Sequence, residues 1–204
     1  IGTLRKKRSV RYYINNGEDV LQRENSSRFF PVEVSGFPEL RVSDVISDSP
    51  YFWRNRLLVS LKPQEIAVVR VRYPGMKEKD FTLFIPDDSV LMHDPVNNFF
   101  YPGERVHVEK LRMFTSYFMN IYFEDFVTDP GTRDSVLLSI PDMQVIIDVN
   151  DGDPVEFDIF PCYTHGRRDD RYIYIRKNKD PEILIGKHII TDLWGKWKED
   201  FIRN

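Results

Sequence analysis

Apolar and polar residues alternate on both sides of an Asp-Gly turn in the C-terminal half, and this stretch constrains the fold more than any other. The alternation runs through residues 145–149, stops at Asn150-Asp151-Gly152, and resumes through residues 155–159. Alternation with a period of two indicates β-strands, and glycine adopts the positive φ that a tight turn needs. The stretch therefore predicts a β-hairpin. Its apolar face needs cover from other elements, because an isolated hairpin is barely stable in water.

The remaining chain is predicted to contain more strands and two longer helices. In the helix predicted over residues 106–123, Leu111, Phe114 and Phe118 recur at helical spacing, which favours a core face. In the last helix, predicted over residues 187–200, Trp194 and Trp197 share one apolar face. The predicted strands are residues 10–14, a weak strand within 18–28, 28–34, 65–73, 81–85, 99–101 and 172–176, with a polar loop over 164–171 and a short helix from Ser43 and Asp44.

A short motif recurs at one constant offset along the chain. Ile46, Asp48 and Trp53 correspond to Ile190, Asp192 and Trp197. The recurrence predicts repeated units of a β-hairpin, a third strand and a helix, because such units bury their apolar faces by stacking. The predicted units are residues 1–62, 63–130 and 131–204, in one compact domain or two closely packed ones. The predicted fold class is α+β, with antiparallel sheets and helices packed on one face.

Charge and cysteine content exclude several classes of protein. The formal net charge is −3, whereas nucleic-acid-binding domains usually carry a basic surplus, so no nucleic-acid partner is predicted. The basic cluster at residues 4–11 is either a solvated end or a segment beside a membrane anchor. Cys162 is the single cysteine, so an internal disulfide and cysteine-rich zinc sites are excluded. Because the sequence begins with Ile1 rather than methionine, we expect a signal or membrane anchor upstream.

No motif for catalysis, metal binding or nucleotide binding is present. His93, His107, His165 and His188 are scattered, and neither a serine nucleophile elbow nor a phosphate-binding glycine loop occurs. The run from Asp148 to Asp153 differs from a calcium loop, because its glycine is at the fifth position and strands flank it. We therefore predict no catalytic residue, no metal and no cofactor.

One polar stretch is a candidate binding site. It lies between two predicted strands, where a rigid scaffold commonly positions binding residues. The candidate residues are His165, Arg167, Arg168 and Arg171, interleaved with Asp169 and Asp170. The alternative interpretation is a mobile, charged hairpin tip.

The order of elements from residue 145 onward resembles a bacterial domain family of unknown function found in membrane-anchored extracytoplasmic proteins. Relatives of that family occur among auxiliary components of gliding-motility transporters. The residues that carry the resemblance are Asp151-Gly152, Tyr172, Tyr174, Arg176, the helix over residues 189–197 and the junction over residues 53–71. Phe160-Pro161-Cys162 departs from the family, which usually has glycine after the hairpin. The resemblance carries no catalytic residues over and implies a scaffold or interaction module facing the cell envelope.

These observations predict a non-enzymatic scaffold or protein-interaction module with protein partners in the cell envelope. It is expected to be extracytoplasmic or periplasmic and to reach the membrane only through the N-terminal anchor; a cytoplasmic location is the alternative, and the oligomeric state is left open. One alternative function is a carbohydrate- or peptide-binding module that uses exposed aromatic rings. The other is a hydrolase whose site is assembled from distant residues. The candidate rings are Tyr51, Phe52, Phe99, Phe100 and Tyr101.

Overall fold

The computed structural model describes residues 10–15, 18–23, 29–31, 51, 54–86, 89–164 and 166–203. The chain forms two compact units, Ile1–Arg54 and Asn55–Asn204. In the first unit, β1 (Val10–Asn15), β2 (Glu18–Arg23) and β3 (Phe29–Pro31) form an antiparallel three-stranded sheet. The strands predicted there are confirmed. The short helix after Ser43 and the first copy of the recurring motif, which includes Trp53, lie outside the described residues.

The described strands of the second unit are β4 (Leu57–Val59), β5 (Ile66–Arg72), β6 (Phe81–Phe84), β7 (Leu91–Asp94), β8 (Phe99–Tyr101), β9 (Ile121–Tyr122), β10 (Asp125–Phe126), β11 (Met143–Val149), β12 (Val155–Thr164), β13 (Arg167–Lys177) and β14 (Ile183–Lys187). Nine of them form one antiparallel sheet in the order β10-β14-β13-β12-β11-β5-β6-β7-β8. Two four-stranded meanders, β5–β8 and β11–β14, meet where β5 pairs with β11. The α-helices are α1 (Val108–Ser116), α2 (Pro130–Leu138) and α3 (Ile189–Trp194). The α+β class is thus confirmed.

One face of the large sheet, the inner face, carries the main hydrophobic core. The inward residues of β5, β6, β11 and β12 alternate along their strands as predicted. Leu111, Phe114 and Phe118 cover them from α1 and the turn after it, while Trp194 at the end of α3 contacts Phe118 and Phe157. The buried residues on the inner face of the sheet include Val69, Val71, Phe81, Leu83, Met92, Val145, Ile147, Phe157, Ile159 and Ile175.

Within the described part of the second unit, α2 covers part of the opposite face, the outer face. Val136 of α2 packs against Phe160 and Ile183 in a second, smaller cluster. Phe160 follows the inward-facing Ile159, so the alternation of the strand places it on the outer face. The prediction that the helices pack on one face is therefore wrong for α2. Next to this cluster, the buried carboxylate of Asp158 accepts hydrogen bonds from Arg176 Nε at 2.8 Å and Gln144 Nε2 at 2.6 Å.

The helix predicted over residues 106–123 is shorter than its apolar pattern suggested. It ends at Ser116, where the hydroxyls of Thr115 and Ser116 donate to the carbonyls of Arg112 and Met113. Such bonds compete with helix propagation. Asn120 then adopts a φ of +52°, and the chain continues as β9 rather than as helix.

The predictions for the last 75 residues need four corrections. The polar loop predicted over 164–171 is a tight hairpin, because β12 extends to Thr164 and β13 begins at Arg167. Lys187 belongs to a strand, β14, which the sequence interpretation missed. The last helix ends at Trp194, before Gly195, and a 3-10 turn follows at Lys198–Phe201. The helix α2 was also missed; it begins at Pro130, with the Asp129 carboxylate accepting from Thr132 N at 2.7 Å.

The C-terminal segment, residues 195–203, packs against the first meander. Lys198 Nζ lies 2.6 Å from Asp94 Oδ2, and both side chains are almost fully buried. Burial alone would raise the pKa of Asp94, but hydrogen bonds from Lys198 and Asn97 outweigh it and lower the pKa to about 2. The ring of Phe201 packs edge-on against Phe81 at 5.4 Å. A buried ion pair therefore holds the segment at the end of β7.

No helix within the described residues is long and apolar enough to cross a bilayer.

We predict that Asp94→Asn lowers the free energy of unfolding by about 3–5 kcal/mol at pH 7, because it leaves the Lys198 ammonium buried without a counter-charge. The pKa of Asp94 is lower in the folded state than in the unfolded state. The ionised carboxylate therefore stabilises the folded state fully at pH values above the unfolded-state pKa, and this stabilisation is lost as the pH falls toward about 2. The difference between variant and wild type should therefore shrink over that acidic range. Urea denaturation at a series of pH values measures it.

Asp153→Asn is the matched control, since Asp153 is exposed. An Asp94→Asn protein as stable as the control at pH 7 would show that the ion pair does not hold the C-terminal segment.

Candidate functional site

The structure describes three of the four predicted binding residues. Arg167, Arg168 and Arg171 all lie on β13, and His165 lies outside the described residues. Arg168 Nη2 donates to Asp142 Oδ2 at 2.8 Å, whereas the Arg171 guanidinium lies 3.5 Å from Asp169. Arg168 and Arg171 thus pair with different carboxylates instead of converging on one ligand position.

Asp169 organises the start of β13. Its Oδ1 accepts from the backbone N–H groups of Arg171 and Tyr172, at 2.8 and 3.2 Å, and its Oδ2 accepts from Thr164 Oγ1 at 3.0 Å. The hydrogen bond from the Arg171 backbone N–H and the one from the Thr164 hydroxyl hold the pKa of Asp169 below its usual value. Gly166, with a φ of +74°, lies in the turn of the same hairpin. Asp169 therefore has a local structural role in the hairpin.

Arg168 lies at the edge of a cleft of about 770 Å³, which we call the C-terminal cleft. Three segments form it: the turn after β5, the connection from α2 to β11, and the chain from Thr191 to Asp200. The lining residues are Tyr73, Gly75, Met76, Ile140, Pro141, Asp142, Met143, Arg168, Thr191, Asp192, Gly195, Lys196, Trp197 and Asp200.

Large apolar side chains are exposed around this cleft. Ile140 exposes 77% of its surface, Trp197 43% and Met76 42%. Trp197 was predicted to lie on the buried face of the last helix, but the helix ends three residues earlier and the indole turns outward. Lys79 Nζ lies 4.1 Å from the centre of its ring. Ile140 and Met76 were missed by the sequence interpretation; the signal that could have identified them is an apolar residue in a polar connection next to proline or glycine.

The polar groups of the cleft are mostly engaged within the protein. Asp200 Oδ2 accepts from the Trp197 amide at 2.8 Å, and the Tyr73 hydroxyl donates to the Lys196 carbonyl at 2.7 Å. Burial, followed by the charges of Asp200 and Asp80, raises the pKa of Tyr73 above its usual value. Thr191 Oγ1 is buried and has no hydrogen-bond partner among the described residues. The cleft is therefore an apolar surface with a paired, charged rim.

A second cleft, of about 910 Å³, opens on the outer face at the β8 edge and carries aromatic rings. The ring centroids of Phe84 and Phe100 are 5.6 Å apart, and those of His93 and Phe100 are 4.5 Å apart. Phe100 exposes 53% of its surface and Phe99 44%. The prediction of a short strand at Phe99–Tyr101 is confirmed. Tyr51 is also exposed, and Phe52 lies outside the described residues.

Within the part of the chain that the structure describes, no group of three or more histidine, cysteine, aspartate or glutamate residues could hold a metal ion. Cys162 is buried on β12.

Comparison of the chain with family models, with curated proteins and with solved structures yields no match.

We predict that Arg168→Ala changes the free energy of unfolding by less than about 1 kcal/mol, because its ion pair with Asp142 is about half exposed. Arg176→Ala should cost several times more, since it removes the counter-charge of the buried Asp158. Thermal or urea denaturation of the two variants measures the difference. Equal losses of unfolding free energy in the two variants would contradict the prediction that the Arg176–Asp158 pair stabilises the fold more than the Arg168–Asp142 pair.

Proposed function

We propose that this chain is a non-enzymatic scaffold or protein-interaction module whose C-terminal cleft binds an extended apolar segment of a partner protein. The observation that carries the proposal is the exposure of Ile140, Met76 and Trp197 around one concave surface. Scattered exposed apolar residues are ordinary, but a set gathered at a cleft marks an interaction site. Tryptophan is among the residues that most often contribute a large share of binding energy at protein interfaces.

The rim supports a protein partner rather than a small charged ligand. The Arg168 guanidinium is neutralised by Asp142, and Lys79 lies over the Trp197 ring. The charges therefore leave no strong net field in the cleft, and they form the polar border that commonly surrounds an apolar interface core.

The hydrolase alternative requires a base positioned beside a nucleophile. In the C-terminal cleft, the carboxylates of Asp142 and Asp200 accept hydrogen bonds from Arg168 and from the Trp197 amide. Asp192 lies 3.7 Å from His188, a separation typical of two side chains one helical turn apart. These contacts support a structural role for the carboxylates, which is why we favour a binding module.

We further propose that the module is extracytoplasmic or periplasmic, tethered to the membrane by a segment that precedes Ile1, and that its protein partners lie in the cell envelope. This proposal rests on the resemblance of residues 145–200 to the bacterial domain family found in membrane-anchored extracytoplasmic proteins. A cytoplasmic location is the alternative. Fusing a topology reporter to the full-length gene product would decide between the two compartments.

The duplication of a β-rich unit is also a proposal. Its support is the order of elements, since β5–β8 followed by α1 and β11–β14 followed by α3 are both four-stranded meanders that lead into a helix. The strands of the second meander are longer, and its helix is shorter.

A carbohydrate- or peptide-binding module is the second candidate. It is favoured by the outward-facing cluster of Phe84, His93 and Phe100, because exposed rings can stack on a ligand. Under this alternative, Phe100→Ala would remove ligand binding while Trp197→Ala would leave it unchanged.

We predict that peptides selected from a random display library against the 204-residue chain are rich in apolar residues and bind in the C-terminal cleft. Trp197→Ala and Ile140→Asp should each weaken their binding at least about 10-fold, because each removes an apolar contact at the centre of the surface. Isothermal titration calorimetry with a selected peptide measures the affinities.

Leu138→Asp is the matched control. Leu138 is even more exposed than Ile140, but it does not line the cleft, so its substitution should leave the affinity within about 2-fold. Peptides that bind Trp197→Ala and Ile140→Asp as tightly as wild type would contradict the proposal.

A further inference from the structure

A third cleft, of about 680 Å³, lies between α2 and the strands β12 and β13 on the outer face, and we call it the α2 cleft. Val136 of α2 and Pro161 of β12 provide apolar surface in it, next to the cluster that attaches the helix to the sheet. Its volume lies within the range of small-molecule sites, about 300–1,000 Å³.

The α2 cleft is lined by several hydroxyl groups and two carboxylates. Thr132, Ser135 and Ser139 contribute hydroxyls, and Asp129 and Asp142 contribute carboxylates. The Oδ2 atom of Asp129 accepts from Thr132 N, and the Oδ2 atom of Asp142 accepts from Arg168. The Thr132 hydroxyl also hydrogen-bonds to the Asp129 carboxylate and lowers its pKa. Because a carboxylate has about four lone-pair sites, each aspartate keeps acceptor capacity for a ligand hydroxyl.

Two tyrosines complete the α2 cleft. Tyr163 exposes 59% of its surface, so its ring is available for contact with a ligand. Burial, followed by the hydrogen bond that the Tyr174 hydroxyl donates to Cys162, raises the pKa of Tyr174 to about 12. The Tyr174 phenol therefore keeps its proton at neutral pH. The cleft combines an exposed ring with hydroxyl and carboxylate groups, which is the combination that a polyhydroxylated ring requires.

We propose that the α2 cleft binds a neutral pyranose sugar, with the apolar face of the sugar against Tyr163 and its hydroxyls donating to Asp129 and Asp142. An anion is disfavoured because it would face both carboxylates. A cation is disfavoured because Arg168 neutralises one of them. A wholly apolar ligand would leave the hydroxyls and carboxylates of the cleft desolvated without partners. The site shares Ile140 and Asp142 with the C-terminal cleft, but its proposed ligand is a sugar and not a protein segment.

Binding is tested by two-dimensional NMR of the 204-residue chain, titrated with glucose, galactose, mannose, N-acetylglucosamine and their β-1,4-linked disaccharides. We expect at least one of these sugars to shift amide signals of α2 and of residues 162–164 and 174. No saturable shift with any of the sugars would overturn the proposal. Saturable binding of inorganic phosphate or tetramethylammonium at the same signals, in place of a sugar, would overturn it as well.

Variants of Tyr163 test the contact with the ring. Tyr163→Ala should weaken sugar binding at least about 10-fold, or about 1.4 kcal/mol, while Tyr163→Phe keeps the affinity within about 2-fold because it keeps the ring. Asp129→Asn should weaken binding about 5-fold without unfolding α2, because asparagine also caps helices well. Equal sugar affinity of Tyr163→Ala and Tyr163→Phe would overturn the assignment of the stacking ring.

Trp197→Ala separates this inference from the proposed function, since Trp197 lines the C-terminal cleft and not the α2 cleft. It should bind the sugar as wild type does while losing the selected peptides. If Trp197→Ala lost the sugar as well, the two clefts would not be separate sites and the proposal for the α2 cleft would fail.

Discussion

The pairing of β5 with β11 joins the two meanders into one sheet, and the rest of the second unit depends on it. Val69 pairs with Ile147 and Val71 with Val145, and all four side chains are fully buried on the inner face. Each meander alone would have one short helix to cover its apolar face. Once the meanders are joined, α1 and the Trp194 ring cover one continuous apolar layer on the inner face. This shared cover removes the apolar surface of both meanders from water. On the outer face, Arg70 and Asp148 form a bidentate ion pair across the same two strands.

This arrangement also determines where binding surfaces can form. The inner face is closed by helices and by the C-terminal segment, which Lys198 anchors at Asp94. Within the described part of the second unit, α2 packs on the outer face beside the α2 cleft, and the aromatic cluster at β8 lies on the same face. The connection from α2 to β11 carries Ile140 and Asp142, which line both the C-terminal cleft and the α2 cleft. Substitutions in this connection therefore affect both surfaces, whereas Trp197 and Tyr163 each belong to one.

Local sequence patterns predicted the elements whose contacts are between residues close together in the sequence. The hairpin around Asp151-Gly152 forms as predicted, with Val145 opposite Phe157 and Ile147 opposite Val155. The pairing of β5 with β11 could not be predicted, because alternation identifies the apolar face of a strand but not its distant partner. The strand β14 was missed because it runs directly into α3. One apolar segment therefore begins with the two-residue periodicity of a strand and ends with the 3.6-residue periodicity of a helix. The exposure of Trp197 depends on the end of α3 at Gly195, and the separation of Arg168 from Arg171 depends on the extended conformation of β13.

Native-state amide hydrogen exchange of the second unit tests the central claim, that the two meanders form one cooperative sheet. The account predicts that the amides paired between β5 and β11 are among the slowest to exchange. It also predicts that amides in the centres of both meanders exchange with one common free energy, equal to that of global unfolding. If the amides of β5–β7 exchanged at much lower free energy than those of β11–β13, the meanders would open independently. The joined sheet would then not be the constraint on which the clefts depend.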